Sequence, residues 1–340
     1  MLKSIEITQS NQRISSIDVF RCIAIVMVML FHFDMLLPFG DIGVDLFFII
    51  SGILVGGILI RENSNDIKTN FGRFILQRGF KIWPSYYLFI FLGHWIKEKN
   101  LSFEANAKYI FFYENYTGES SHLWSLCVEE HFYILLPILF IVVQRFNKKN
   151  QIPVLYSFIY TIIVAGIFFK FFSYYFTNSQ DTFSGTHNRL DGLAWGVLLS
   201  LQISQKKIPQ QSLSTFFSGL ILLAISVLLS FEWDYFEKVI YHSFIPFSFY
   251  LMIKGVYYMD FTRLKAIRLI AYYSYNIFLW HDLISILVLD YLGNSLPYLI
   301  LYLLLSVLIG FILTIIIEEP FLKIRNWIMK RYFYREKKTF

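Results

Sequence analysis

Residues 297–317 read PYLILYLLLSVLIGFILTIII, a run with no charged side chain. At about 20 apolar residues per crossing it is long enough to span a bilayer as one helix. Working outward from it, comparable stretches recur along the chain. Spans are predicted over residues 18–38, 42–60, 82–96, 126–144, 153–175, 190–204, 213–231, 238–258, 267–289 and 297–317. Composition agrees: of 340 residues 56% are hydrophobic, 20% aromatic and only 16% charged, well below the roughly 25% charged of a soluble domain. The fold class is all-α, a polytopic membrane helix bundle of about ten transmembrane helices. No loop is long enough for a soluble unit, so residues 1–340 read as a single membrane domain with a basic tail over 318–340.

The first apolar stretch follows a mostly polar segment and lacks a small-residue cleavage site, so it reads as a retained helix rather than a signal peptide. Cys22 and Cys127 both lie in apolar segments and read as packing residues, with neither a disulfide framework nor a metal cluster indicated. The net charge of +6 does not point to nucleic acid, because the basic residues sit in short segments between spans and form no continuous face.

Those segments orient the bundle. With the N-terminus inside, the inner segments hold Lys3 and Arg13, then Arg61, Lys68, Arg73, Arg78 and Lys81, then Arg145, Lys148 and Lys149, then Lys206 and Lys207, then Lys254, Arg263, Lys265 and Arg268, and finally the tail. Outer segments hold only Lys97, Lys99, Lys108, Arg189 and Lys238, and the longest also carries Glu98, Glu104, Glu114 and Glu119. This alternation follows the positive-inside rule and predicts that both termini are cytoplasmic.

Ionisable side chains within spans are costly and mark functional positions. Arg21 and His32 fall in the first span, Asp45 in the second, Glu129 and Glu130 in the fourth, His281 and Asp282 in the ninth, and Glu318 and Glu319 at the end of the tenth. Eleven helical steps of about 100° put Arg21 and His32 on one face, about 16 Å apart along the axis. Taken alone, Arg21 reads equally as a side chain that snorkels to the interface. Asp45 starts its helix, where the dipole favours a carboxylate. Arg78 and Lys81, three apart, share a face at the inner surface, where they serve topology or a phosphate-rich cofactor. Residues 122–133, HLWSLCVEEHFY, crowd polar groups at the entrance to a span.

Together these motifs resemble the acyltransferase-3 family of integral membrane O-acyltransferases, which decorate bacterial surface polysaccharides, lipopolysaccharide and related glycans. Arg21 and His32 match its R-x10-H, Gly43 to Gly52 its GVDLFFxxSG, and Arg78 to Pro84 its R-x-x-R-I-x-P. Trp124 to Tyr133 match WSLxxEExFY, Arg189 to Gly196 a weaker R-x-D segment, Tyr275 to His281 a YxxYLWH-like element, and Glu319 to Phe321 the ending. Lys81 replaces the second arginine of the third motif and loses the planar fork that holds phosphate bidentately. His131 stands where the family usually has glutamine. The SGNH-type domain carried by many relatives is not expected here.

The resemblance implies an acyl-CoA donor, acetyl-CoA foremost, and a carbohydrate acceptor, either a surface polysaccharide or a lipid-linked sugar, at the cell (inner) membrane. A separate envelope-biosynthesis partner is also compatible with it. Arg78, Lys81 and Arg21 are the expected cofactor contacts. His32, Arg21, Glu129 and Asp45 are the expected catalytic residues, and Trp124, Ser125, Arg189 and His281 the expected substrate contacts. His32 would act as general base or transient acyl carrier, with Glu129 or Asp45 orienting it. Arg21 would serve the CoA phosphates or the developing oxyanion. A proton-coupled transporter of a glycan precursor is the alternative from another class, and a scaffold subunit a third. The topology predicts that reporters fused to either terminus are active only on the cytoplasmic side, whereas a reporter inserted near residue 118 is active only outside.

Overall fold

A computed structural model describes residues 13–33, 36–61, 67–98, 103–117, 121–146, 151–177, 184–230, 239 and 241–333. Lys3, Lys99, Glu119, Lys148, Lys149, Lys238 and the tail beyond residue 333 lie outside them. The helices are α1 (Ser15–His32), α2 (Ile42–Arg61), α3 (Ile67–Glu98), α4 (Phe103–Ile110), α5 (Trp124–Phe146), α6 (Gln151–Phe172), α7 (Thr186–Ser204), α8 (Leu213–Ser230), α9 (His242–Val256), α10 (Lys265–Leu292), α11 (Leu296–Leu313) and α12 (Glu319–Ile328). Among the described residues there is no strand, so the protein is an all-α bundle.

Local chemistry sets the helix ends. Gly293, at φ +94°, closes α10 in a conformation that side chains rarely adopt. Pro297 then falls in the first turn of α11, where its missing N–H has no helical partner to lose. Along α11, Leu296, Ile300, Leu304 and Leu308 repeat every fourth residue and are at least half exposed, a stripe that suits hydrocarbon.

Six segments are long and apolar enough to cross a membrane on length and composition: Ser15–His32, Ile42–Ile60, Trp124–Arg145, Gln151–Phe176, Leu213–Ser230 and Leu296–Phe333. The other predicted spans are also helical, but α9 has only 15 residues, and α3, α7 and α10 carry more polar side chains. Two predicted boundaries change. The first span ends at His32 rather than residue 38, because Phe33 leaves the helical region (φ −96°, ψ 83°) and the chain turns through Pro38 and Gly40. The third span is the end of a 32-residue helix, about 48 Å long at 1.5 Å per residue. Its inner half carries Lys68, Arg73, Arg78 and Lys81 among apolar residues, and a search for uncharged apolar runs passes over it.

The bundle is assembled around α2 and α7. A Cβ added at Gly52 would strike the Leu193 carbonyl, and one added at Gly196 would strike the Ile49 carbonyl, so the two backbones touch. Gly56 extends the contact one turn on, against Ser200 and Val197. Small residues four apart on both helices allow this approach, which supplies the packing energy that lipid does not. By contrast, α8 lies at the periphery, with 11% of its span buried. Gly52→Val or Gly196→Val forces backbone apart and is expected to cost at least the 1–3 kcal/mol, roughly, of core overpacking. The measurement is the thermal midpoint in detergent, with Gly72→Ala, which has nothing within 4 Å, expected to stay close to the wild type.

Candidate active site

α1, α2, α5 and α10 line a partly open cavity of about 70 Å³. Val44, Phe47, Phe48 and Phe278 form its apolar wall, and Arg21, Ser51, Ser125 and Glu129 supply its polar groups. Ser51 donates to Glu129 at 2.9 Å and Tyr133 donates to the other carboxylate oxygen at 2.6 Å. Both hydroxyls thus point at the carboxyl group, which fixes its position. The Arg78 guanidinium sits 5.3 Å over the Tyr133 ring. The Nε atoms of Arg21 and Arg78 are buried and have no hydrogen-bond partner. Two guanidinium groups with unmet donors beside an apolar chamber suit an anionic ligand with an apolar arm.

The third cation predicted for that ligand is already engaged. Lys81 forms an ion pair with the buried Glu318, which also accepts from Asn276 at 3.1 Å. Glu318 ends a single π turn, Thr314–Glu318, that continues α11. At the start of α1, Asp18 pairs with Arg13 and takes Arg268 Nε at 3.1 Å, tying α1 to α10.

Asp45 and Arg189 do not reach into the cavity as a separate acid and base. They pair at 3.1 Å, both nearly fully buried, with the guanidinium 5.3 Å over the Trp124 ring. Beside them Lys170 pairs with Asp191 at 2.6 Å and donates to the His242 carbonyl at 2.9 Å. Neither Lys170 nor Asp191 was among the predicted site residues, although a lysine within the apolar run 163–172 is a readable signal. His131, the departure from the family pattern, contacts Thr186 Oγ1 at 2.7 Å and links α5 to α7.

His32 and His281 come together at the opposite end of α1 from Arg21. Their ring centroids are 4.8 Å apart, and His122 adds a third ring 5.4 Å from His281 and 6.5 Å from His32. A backbone carbonyl anchors each imidazole. His32 Nδ1 donates to Val28 at 3.0 Å, His281 Nδ1 to Phe278 at 2.6 Å and His122 Nε2 to Leu279 at 3.1 Å. Asp282 Oδ2 lies 3.4 Å from His122 Nδ1. Phe278 connects this cluster to the cavity it lines, its ring 5.7 Å from that of His122. Among the described residues no group of three His, Cys, Asp or Glu is arranged to hold a metal ion.

A multi-pass helical bundle with paired buried charges and a chamber lined by both apolar and polar side chains defines a membrane protein. Comparison with known proteins gives its class: the family model for the acyltransferase domain, of the acyltransferase-3 type, matches residues 14–317, and the chain belongs to that family. It is 26% identical over 310 residues to YrhL of Bacillus subtilis, covering 81% of this chain and 49% of that one. It is 27% identical over 328 residues to the O-acetyltransferase OatA of Staphylococcus aureus, covering 85% and 53%. To the peptidoglycan O-acetyltransferase OatA of Listeria monocytogenes it is 24% identical over 307 residues, covering 80% and 49%. The chain thus spans about half the length of these relatives. No solved structure matches.

The buried pairs make a direct prediction. Lys170→Met strands Asp191 and is expected to lower stability by about 3–5 kcal/mol, whereas Lys170→Met with Asp191→Leu recovers much of that loss, because removing both charges also removes their desolvation cost. Chemical unfolding in detergent checks both variants against the wild type.

Proposed function

We propose that the chain is a membrane O-acetyltransferase that moves an acetyl group from a CoA thioester, supplied from the cytoplasm, to a hydroxyl of a cell-envelope glycan. The observation that carries this reading is the chamber where Arg21, Ser51, Ser125 and Glu129 meet, within a bundle of the acyltransferase family. Arg78 and Arg21 receive the donor's phosphates, while Lys81 stays paired with Glu318. Held by Ser51 and Tyr133, Glu129 keeps the two guanidiniums in place between donors.

In this reading His32 is the group at the reaction centre. A sugar hydroxyl attacks a thioester only as its proton leaves, and an imidazole whose Nδ1 is held by a carbonyl presents Nε2 as the base. The acceptor reaches His32 from the outer side, past Trp124 and Arg189, and the acyl group arrives through the chamber. The name of the Listeria relative favours the glycan strands of peptidoglycan among the possible acceptors. The bundle is placed in the cell membrane with both termini inside.

The test is the ester-linked acetate of isolated cell-wall glycan from cells carrying wild-type protein, His32→Ala or an empty vector, at equal membrane expression. Acetate is expected with wild type only, with His32→Ala down about 100-fold or more, the usual weight of a general base. Equal acetate in all three contradicts the reading.

A further inference from the structure

We infer that Asp282, acting through His122 and His281, is the carboxylate that stabilises His32 when it takes up the acceptor's proton. The inference rests on the transferase reading above and names the positioning residues of that same site. The two carboxylates that sequence offers for this task are engaged elsewhere, Asp45 with Arg189 and Glu129 with Ser51 and Tyr133. Asp282 is joined to His32 by two imidazoles in ring contact.

The tautomers give this chain a direction. A carbonyl only accepts, so the ring nitrogen facing it carries the hydrogen and the other nitrogen bears the lone pair. His281 Nε2 and His122 Nδ1 are those lone pairs, and both are buried with no hydrogen-bond partner. An unmet acceptor in a dry interior costs roughly 1–3 kcal/mol and calls for an explanation. Here each is an acceptor for the proton that His32 gains, first at His281 and then between His122 and Asp282.

The groups whose charges act on His281 include His32 on α1, His122 before α5 and Asp282 on its own helix. Asp282 is the acid among these groups, so it lowers the cost of an imidazolium in the cluster. Proton and bonds balance. The hydroxyl O–H breaks as its oxygen bonds the thioester carbon, and the imidazole chain holds the proton. The C–S bond then breaks, and the proton returns through His32 to the thiolate, leaving an ester and free CoA thiol.

The experiment uses the full chain in lipid nanodiscs with acetyl-CoA and an N-acetylglucosamine pentamer, measuring ester formation against acetyl-CoA concentration. Asp282→Asn is expected to lower kcat about 100-fold, within the range for general-base and triad groups, with KM for acetyl-CoA changed less than about twofold. Asp282→Glu regains most of the rate, and His122→Gln repeats the Asp282→Asn pattern, so a folding failure in one variant leaves the other decisive. Adding His281→Gln to Asp282→Asn lowers the rate no further than the worse single change. An Asp282→Asn enzyme with at least half the wild-type kcat, a defect confined to KM, or independent multiplying defects overturns the inference. An inactive wild type instead contradicts the transferase reading beneath it.

Discussion

A charge inside lipid has no water to fall back on, and this bundle is organised by the need to pair the charges it buries. Asp45 meets Arg189, Lys170 meets Asp191, Lys81 meets Glu318 and Asp18 meets Arg268. Three of these pairs join helices far apart in the chain, and Lys170 with Asp191 joins the consecutive α6 and α7, so the pairs fix which helices are neighbours as well as satisfying their own members. The first is possible because α2 and α7 touch through glycine, which brings Asp45 and Arg189 within reach near the same end of the contact. Mispacked helices would leave these charges single, a cost of several kcal/mol each that separates the native arrangement from its rivals.

Against that paired background the exceptions mark the site. Arg21 and Arg78 keep unmet donors beside the chamber, and His281 and His122 keep unmet acceptors beside His32. A donor-rich end suits an anionic cofactor, and an acceptor-rich end suits a proton released from a hydroxyl. The two ends are separated by the length of α1 between Arg21 and His32, about 16 Å at 1.5 Å per residue. In the proposed reading, this arrangement divides the labour of a transferase whose two substrates arrive from opposite faces of a membrane.

Much of this was legible in the sequence. Arg21, Ser125 and Glu129 were singled out and do meet at one cavity, and the all-α membrane fold followed from apolar runs such as 297–317. Periodicity places Arg21 and His32 on one face, yet Arg21 lines the chamber while His32 meets His281. Shared azimuth says nothing of which partners wait at each depth. The pairing of Lys81 with Glu318 and the approach of His122 to Asp282 were not legible, since both depend on contacts between helices distant in sequence. The inward extension of α3 was missed because hydropathy registers the apolar half of a helix and not its basic half.

The central claim is that acyl group and acceptor meet inside the bundle from opposite sides. The direct measurement seals radiolabelled acetyl-CoA inside proteoliposomes in which the protein's termini face the lumen, with an N-acetylglucosamine oligomer outside. The account predicts labelled ester on the external oligomer while the CoA stays within. Label appearing on the oligomer only when both substrates share a compartment would contradict it.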